Sequence, residues 1–150
     1  MSSVRSLLYL VLIPLVTIQL FILAPSHAEK YDQLLNHDEV AAIEASKQSR
    51  RFYIPEVSPK LDTDSAIKLF GQFEQILICH ESANSQISDV VKPASKTLIV
   101  IGPEGGITED ELKLFEQAGA KIIKLGRPVL RSAHAGIAAV SAVSALMKVW

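Results

Sequence analysis

The stretch from Thr97 to Gly119 limits the folds open to this chain more than any other. Thr97 to Ile101 is an unbroken apolar, β-branched run that passes directly into Gly102-Pro103-Glu104-Gly105-Gly106-Ile107 and a helix start at Thr108. A strand without polar alternation is covered on both faces, so it predicts a mostly parallel sheet with helices on both sides, an α/β fold. The helix that follows is marked at both ends. Thr108 and Glu111 form a Thr-x-x-Glu capping box, Glu109, Asp110 and Glu111 sit where the helix dipole favours anions, and Gly119 stops the helix. The three glycines between strand and helix allow close backbone approach to a ligand, with free N–H groups available. The plain alternative is a tight strand-to-helix turn. The loop fits neither a P-loop nor a Gly-x-Gly-x-x-Gly fingerprint, and its acidic helix start disfavours a phosphate.

The flanking segments extend the same alternation. Asn36 or Asp38 can cap a helix through about Arg50, with Val40 and Ile43 on one face and Glu39, Glu44 and Gln48 on the other. Pro55 and Pro59 argue against regular structure in the next stretch. Asp62 to Phe70 predicts a short amphipathic helix closed by Gly71, and Gln75 to Cys79 a buried strand. Ser82 to Ser95, rich in Ser, Asn and Asp, predicts a surface connection. A further strand, Lys121 to Leu125, runs into Gly126-Arg127-Pro128-Val129-Leu130-Arg131, a second loop at the strand edge where open α/β sheets bind ligands. Ala133 to Met147 holds six Ala, two Ser and one Gly, so this helix either packs closely on its own sheet or meets a partner subunit. His134 at its start predicts a helix-end or core histidine.

Charge and cysteine content exclude several classes. A net charge of −1 and a pI near 6.4 are incompatible with bulk electrostatic binding of nucleic acid, so any RNA contact is local. Lys47, Arg50 and Arg51, with Gln48 among them, are the compact basic cluster suited to phosphates, or else a solvated helix end. The single cysteine, Cys79, excludes an internal disulfide and a cysteine-rich zinc site, and no metal site is expected. Residues 1–28 carry one charge, Arg5, and an apolar run from Leu7 to Ala24. With Ser26-His27-Ala28 behind it, that run fits a cleaved leader, a membrane anchor, or a buried strand over Thr17 to Leu23 ended by Pro25.

Four stretches carry a resemblance to a known family. Glu44-Ala45-Ser46-Lys47-Gln48-Ser49-Arg50-Arg51 with Ile54-Pro55-Glu56, Ile78 to Glu81 with its apolar run and His-Glu, Ile101-Gly102-Pro103-Glu104-Gly105-Gly106-Ile107-Thr108, and Leu125-Gly126 with Leu130-Arg131 resemble, in order, motifs of the 16S rRNA (uracil-N3)-methyltransferases of the RsmE type, in the SPOUT class. The resemblance implies a C-terminal deep trefoil knot, a rare exception to unknotted chains. It implies S-adenosyl-L-methionine as cofactor, held by Ile101, Gly102, Pro103, Glu104, Gly105, Gly106, Leu125, Gly126, Leu130 and Arg131. Arg131 is the candidate catalytic cation for the anion that develops on the uracil ring, and Lys47, Gln48, Arg50 and Arg51 are the candidate RNA contacts. A homodimer acting on 16S rRNA of the small ribosomal subunit in the cytoplasm follows, with membrane contact or export only if residues 7–24 are an anchor or leader.

Residues 29–150 would then be the methyltransferase domain, and the family's N-terminal barrel-like RNA-binding domain has no counterpart here. The chain also departs from the family at Arg127-Pro128, where Pro-Arg is usual, and at Ser132-Ala133-His134-Ala135, where Thr-Glu-Thr-Ala is usual. The alternatives are a dimer of the same fold without turnover, serving as an RNA-contact module, and an exported or anchored small α/β protein.

Overall fold

The computed structural model describes residues 5–13, 16–24, 40, 43–44, 47–48, 57–61, 63–103 and 105–149. Its strands are β1 (Arg5–Ile13), β2 (Val16–Ala24), β3 (Val57–Leu61), β4 (Gln75–Cys79), β5 (Ser85–Gln86), β6 (Lys96–Ile101) and β7 (Lys121–Lys124), and its labelled helices are α1 (Thr63–Leu69), α2 (Ile87–Val90), α3 (Glu109–Gln117) and α4 (Ser132–Leu146). The strands form a seven-stranded sheet in the order β3-β1-β2-β6-β4-β7-β5. Pairing is parallel from β2 through β6, β4 and β7 to β5, and antiparallel where β1 meets β2 and β3.

The central strands β4 and β6 fall where continuous apolar runs predict them, because both faces of each are covered. Ile76, Ile78, Leu98 and Val100 point to one side, where they pack with Ala66, Phe70, Leu112 and Phe115 from the α1 and α3 layer. Leu77, Ile99 and Ile101 point to the other, against Ile123, the inner face of α4 (Ala135, Ala139 and Val143) and Met147 just past its end. The alternation of side chains along a strand thus distributes one apolar run between two cores.

Residues 5–24, open to three readings from sequence, supply two strands of this sheet. β1 and β2 pair from Arg5↔Ala24 to Ile13↔Val16, and β2 runs parallel to β6 with Leu20 opposite Ile99. Among the described residues no helix is long and apolar enough to cross a membrane. Two expectations need correction. Pro59 lies inside β3 rather than in irregular chain, and β3 is the outermost strand on its side of the sheet. The ladder pairs Leu8 with Ser58 but Ser6 with Leu61, so Pro59 sits at a bulge on an edge strand, the place where a missing N–H donor costs least. The Ser82–Ser95 connection likewise contains β5 and the single turn α2, anchored by buried Ala83 and Ile87. Gly71 falls within a 3₁₀ turn, Phe70–Gln72, that continues from α1.

The capping box at α3 is present in full. The Glu111 N–H donates to Thr108 Oγ1 at 3.3 Å, and Thr108 donates its own N–H to Glu111 Oε2 at 2.9 Å and its hydroxyl to the same oxygen at 2.8 Å. Glu111 is buried, so its carboxylate has little competition from water. At the other end Gly119, at φ +93°, gives the left-handed exit that sequence predicts for a helix C-terminus. Thr108→Ala should destabilise the protein by about 1 kcal/mol, a typical N-cap loss. A chemical denaturation midpoint equal to wild type would refute that assignment.

Candidate functional site

The carboxyl ends of β4, β6 and β7 open onto one cleft, as expected for an open α/β sheet. One lobe, of about 110 Å³, is lined by residues from Cys79–Glu81 at the end of β4 and Lys124–Leu130 at the end of β7. The neighbouring lobe is bounded by Ile101–Pro103, Gly105–Ile107 and Val129–Ser132. Cys79, His80, Glu81, Val129, Leu130 and Ala135 belong to both, so the lobes share a wall. The second lobe, of about 700 Å³, lies within the roughly 300–1,000 Å³ range of small-molecule sites.

Most residues singled out from sequence meet here. Ile101, Gly102, Pro103, Gly105, Gly106 and Arg131 line the second lobe, Leu125 and Gly126 the first, and Leu130 both. Glu104 lies outside the described residues, as do Arg50 and Arg51. Lys47 and Gln48 are helical and exposed, and Lys47 pairs with Glu44 at 2.9 Å, a solvated contact of small energetic weight. Neither lines the cleft.

Local geometry shapes the glycine loop as a cradle. The Gly106 N–H donates to the Pro103 carbonyl at 2.8 Å, closing a turn in which Gly106 takes φ +77°, a conformation costly for any residue with a Cβ. At Gly102 a Cβ would come within 3.0 Å of Ile107 Cγ1, a buried side chain. Gly105 differs: a Cβ there meets nothing within 4 Å, so the space beside it belongs to the cleft. These features fit a ligand that lies along the backbone.

Across the cleft the second loop is apolar and open. Val129 is 73% exposed and Leu130 also shows much of its surface, although both are aliphatic. Arg131 caps the start of α4 through its carbonyl, which accepts from the N–H groups of His134 at 2.9 Å and Ala135 at 2.8 Å, and leaves its exposed guanidinium beside the second lobe. His134 is exposed at the first turn, a helix-end position as expected.

The Cys79-His80-Glu81 corner carries no functional assignment from sequence beyond its family-like pattern. The strand-edge rule that points to the loops after β6 and β7 applies equally after β4 and is the signal that finds it. Burial pushes the Cys79 thiol up to about 12, which keeps it protonated and poorly nucleophilic near neutral pH. Among the described residues there is no cluster of His, Cys, Asp and Glu able to hold a metal.

An open α/β sheet with a cleft built from glycine and aliphatic loops at its carboxyl edge defines a small-molecule-binding α/β domain. Comparison with known proteins makes the class specific. The RNA methyltransferase domain family matches residues 15–144, and the chain belongs to it. The chain is 37% identical over 111 residues to ribosomal RNA small subunit methyltransferase E of Mycobacterium bovis, covering 71% of this chain and 42% of the relative. It is 32% identical to the enzyme of that name from Bacillus subtilis over 111 residues, 69% of this chain and 43% of the relative. Among solved structures it resembles ribosomal RNA small subunit methyltransferase E from Neisseria gonorrhoeae bound to S-adenosyl methionine, with a TM-score of 0.72 and 26% identity over 83% of this chain and 53% of that one. A Legionella pneumophila protein solved with the same cofactor superposes with a TM-score of 0.69 and 29% identity, over 78% and 48% of the two chains. The chain thus spans about half the length of these proteins, or somewhat less.

Proposed function

We propose that this chain is the catalytic part of an S-adenosylmethionine-dependent methyltransferase that acts on N3 of a uridine in 16S rRNA. The observation that carries the proposal is the convergence of the loops after β4, β6 and β7 on one cleft, in a chain two of whose structural neighbours were solved with that cofactor. When bound, the cofactor supplies an electrophilic sulfonium methyl. Gly102 to Gly106 with Leu125, Gly126 and Leu130 would hold it through backbone and apolar contact, and Glu104 belongs to the same motif. Arg131 would stand toward the acceptor ring as a cation for the developing negative charge. The remaining task is alignment of a weak nucleophile with the methyl, which depends on rigid walls rather than on proton relays.

The methyltransferase domain of this proposal takes in residues 29–150 together with β1 and β2, which stand in its sheet between β3 and β6, and its C-terminal segment is threaded as a trefoil knot. Lys47, Gln48, Arg50 and Arg51 hold rRNA phosphates. The outer face of α4, where Ile137 is 71% exposed, meets a second copy in a homodimer. Assembly of ribosomal subunits places such an enzyme in the cytoplasm.

Titration calorimetry of the full chain with S-adenosylmethionine should give saturable binding of one equivalent per chain. Gly105→Leu should weaken it at least about tenfold while leaving the melting temperature close to wild type, because Gly105 lines the second lobe and a Cβ there meets no protein atom within 4 Å. Mass spectrometry of small-subunit rRNA incubated with chain and cofactor should then find N3-methyluridine. Absence of binding by the folded chain would refute the enzyme; binding without methyl transfer would leave an RNA-contact dimer.

A further inference from the structure

His80 occupies the wall shared by the two lobes, yet nothing in the glycine-loop or Arg131 chemistry uses it. Its position is held from three sides. Its backbone N–H donates to the Ile123 carbonyl at 3.0 Å, its carbonyl accepts from Ala83 N–H at 3.3 Å, and its ring meets Ser82 Oγ at 2.8 Å. The side chain is only 10% exposed.

The ring's chemistry follows from one backbone contact. The Ser82 N–H points at Nδ1 and donates to it at 3.3 Å. A proton on Nδ1 would oppose that N–H, so Nδ1 is the acceptor, also for the Ser82 hydroxyl, and the neutral ring carries its proton on Nε2. Nε2–H has no hydrogen-bond partner among the described residues. The Glu81 carboxylate stands 3.9 Å from Nε2, beyond hydrogen-bond reach, and is itself 60% exposed at the rim. Among the described residues the other charged groups on the cleft walls are Lys124, Arg127 and Arg131, and the half-buried Cys79 thiol is neutral. The fixed ring therefore offers a donor, with no lone pair left on Nε2 to act as a base.

We infer that His80 Nε2–H donates to a carbonyl oxygen of the acceptor uracil and favours its N3 anion, making His80 a further catalytic residue; this rests on the methyl-transfer function proposed above. Uracil N3 becomes a competent nucleophile on losing its proton to solvent, and the resulting charge spreads onto the flanking carbonyl oxygens. The N3 lone pair then forms the new N–C bond, while the sulfonium C–S bond breaks and its electron pair stays on sulfur. A donor to a carbonyl oxygen is held more strongly by the charged ring than by the neutral one, so it acts selectively on the reacting state. Because a hydrogen bond to a charged form favours ionisation, loss of this donor raises the pH at which bound uracil gives up its proton.

The test has two arms on the full chain. Long-range ¹H–¹⁵N NMR of the imidazole should show Nε2 protonated and Nδ1 bare; an Nδ1–H ring overturns the inference whether or not turnover is seen. In the second arm, His80→Ala should lower kcat on small-subunit rRNA about 100-fold near neutral pH, the loss typical of one such donor. It should shift the rising limb of the pH–rate profile to higher pH and leave cofactor affinity within about twofold. His80→Gln, whose amide can place an N–H near the Nε2 position, should recover most of the rate, and it separates donor loss from misfolding. An unshifted pH profile in His80→Ala, or loss of cofactor binding by both variants, would overturn the inference while leaving methyl transfer intact. A wild-type chain that binds cofactor but never methylates rRNA would instead defeat the proposed function, and this inference with it.

Discussion

Phe115→Ala should remove about 3–5 kcal/mol of stability, the usual cost of emptying a large buried aromatic site. Phe115 is completely buried, and its ring centroid lies 5.8 Å from that of Phe70 at a tilt of 34°. It joins α3 to the sheet residues Ile78 and Val100 and, through Phe70, to the end of α1. The loss combines three effects: apolar area returned to water, an aromatic pair broken, and a cavity whose β-sheet wall cannot collapse inward. For a protein of this size the melting temperature should fall by roughly 10 °C. Leu114→Ala, next in sequence but 45% exposed, should change stability by no more than about 0.5 kcal/mol. Denaturant unfolding of the two variants checks the contrast, and equal midpoints would mean that α3 does not face the sheet as described.

The elements legible in the sequence were those whose signal came from more than one physical source. β6 and α3 are marked by apolar continuity, glycines, a capping box and a helix stop within 23 residues, and every one of those marks has its counterpart in the structure. β4 was legible because a strand covered on both faces needs no alternation. The N-terminal run was not, since an apolar stretch from Leu7 to Ala24 has the length of a leader or membrane span, and only pairing with β3 and β6 shows that it is divided between two strands. Pro59 misled for a related reason: whether a proline is tolerated in a strand depends on its being at an edge, which is a property of the sheet and not of the segment. In the site, glycines and a Leu-Arg pair announced two walls. The third, Cys79-His80-Glu81, is marked only by its family-like His-Glu ending, and its place in the site follows from the strand order that sets β4 between β6 and β7.

α4 poses the hardest case for sequence reasoning, because alanine serves a close-packed face and a solvent-exposed one alike, and the structure resolves it into a sharp prediction. Ala139 is completely buried against the sheet side that holds Leu77, Ile99 and Ile123, whereas Ile137, two residues earlier, is 71% exposed. At this level the helix turns an alanine toward the sheet and a large aliphatic residue away from it, the reverse of ordinary amphipathic placement. Ala139 is completely buried in this core, so a larger side chain there has to be accommodated by moving α4 away from the sheet. Ala139→Leu should therefore destabilise the chain by about 1–3 kcal/mol, or more if α4 is displaced, although leucine is apolar and a good helix former. Because α4 starts directly after Arg131 and passes Ala135 on the cleft wall, the same displacement should also weaken binding of S-adenosylmethionine. Ile137→Leu, which changes the outer face alone, should leave both stability and cofactor affinity close to wild type. Thermal melts and cofactor titrations of the two variants distinguish the faces: a stable, cofactor-competent Ala139→Leu would show that the small residues of α4 do not determine how closely it approaches the sheet.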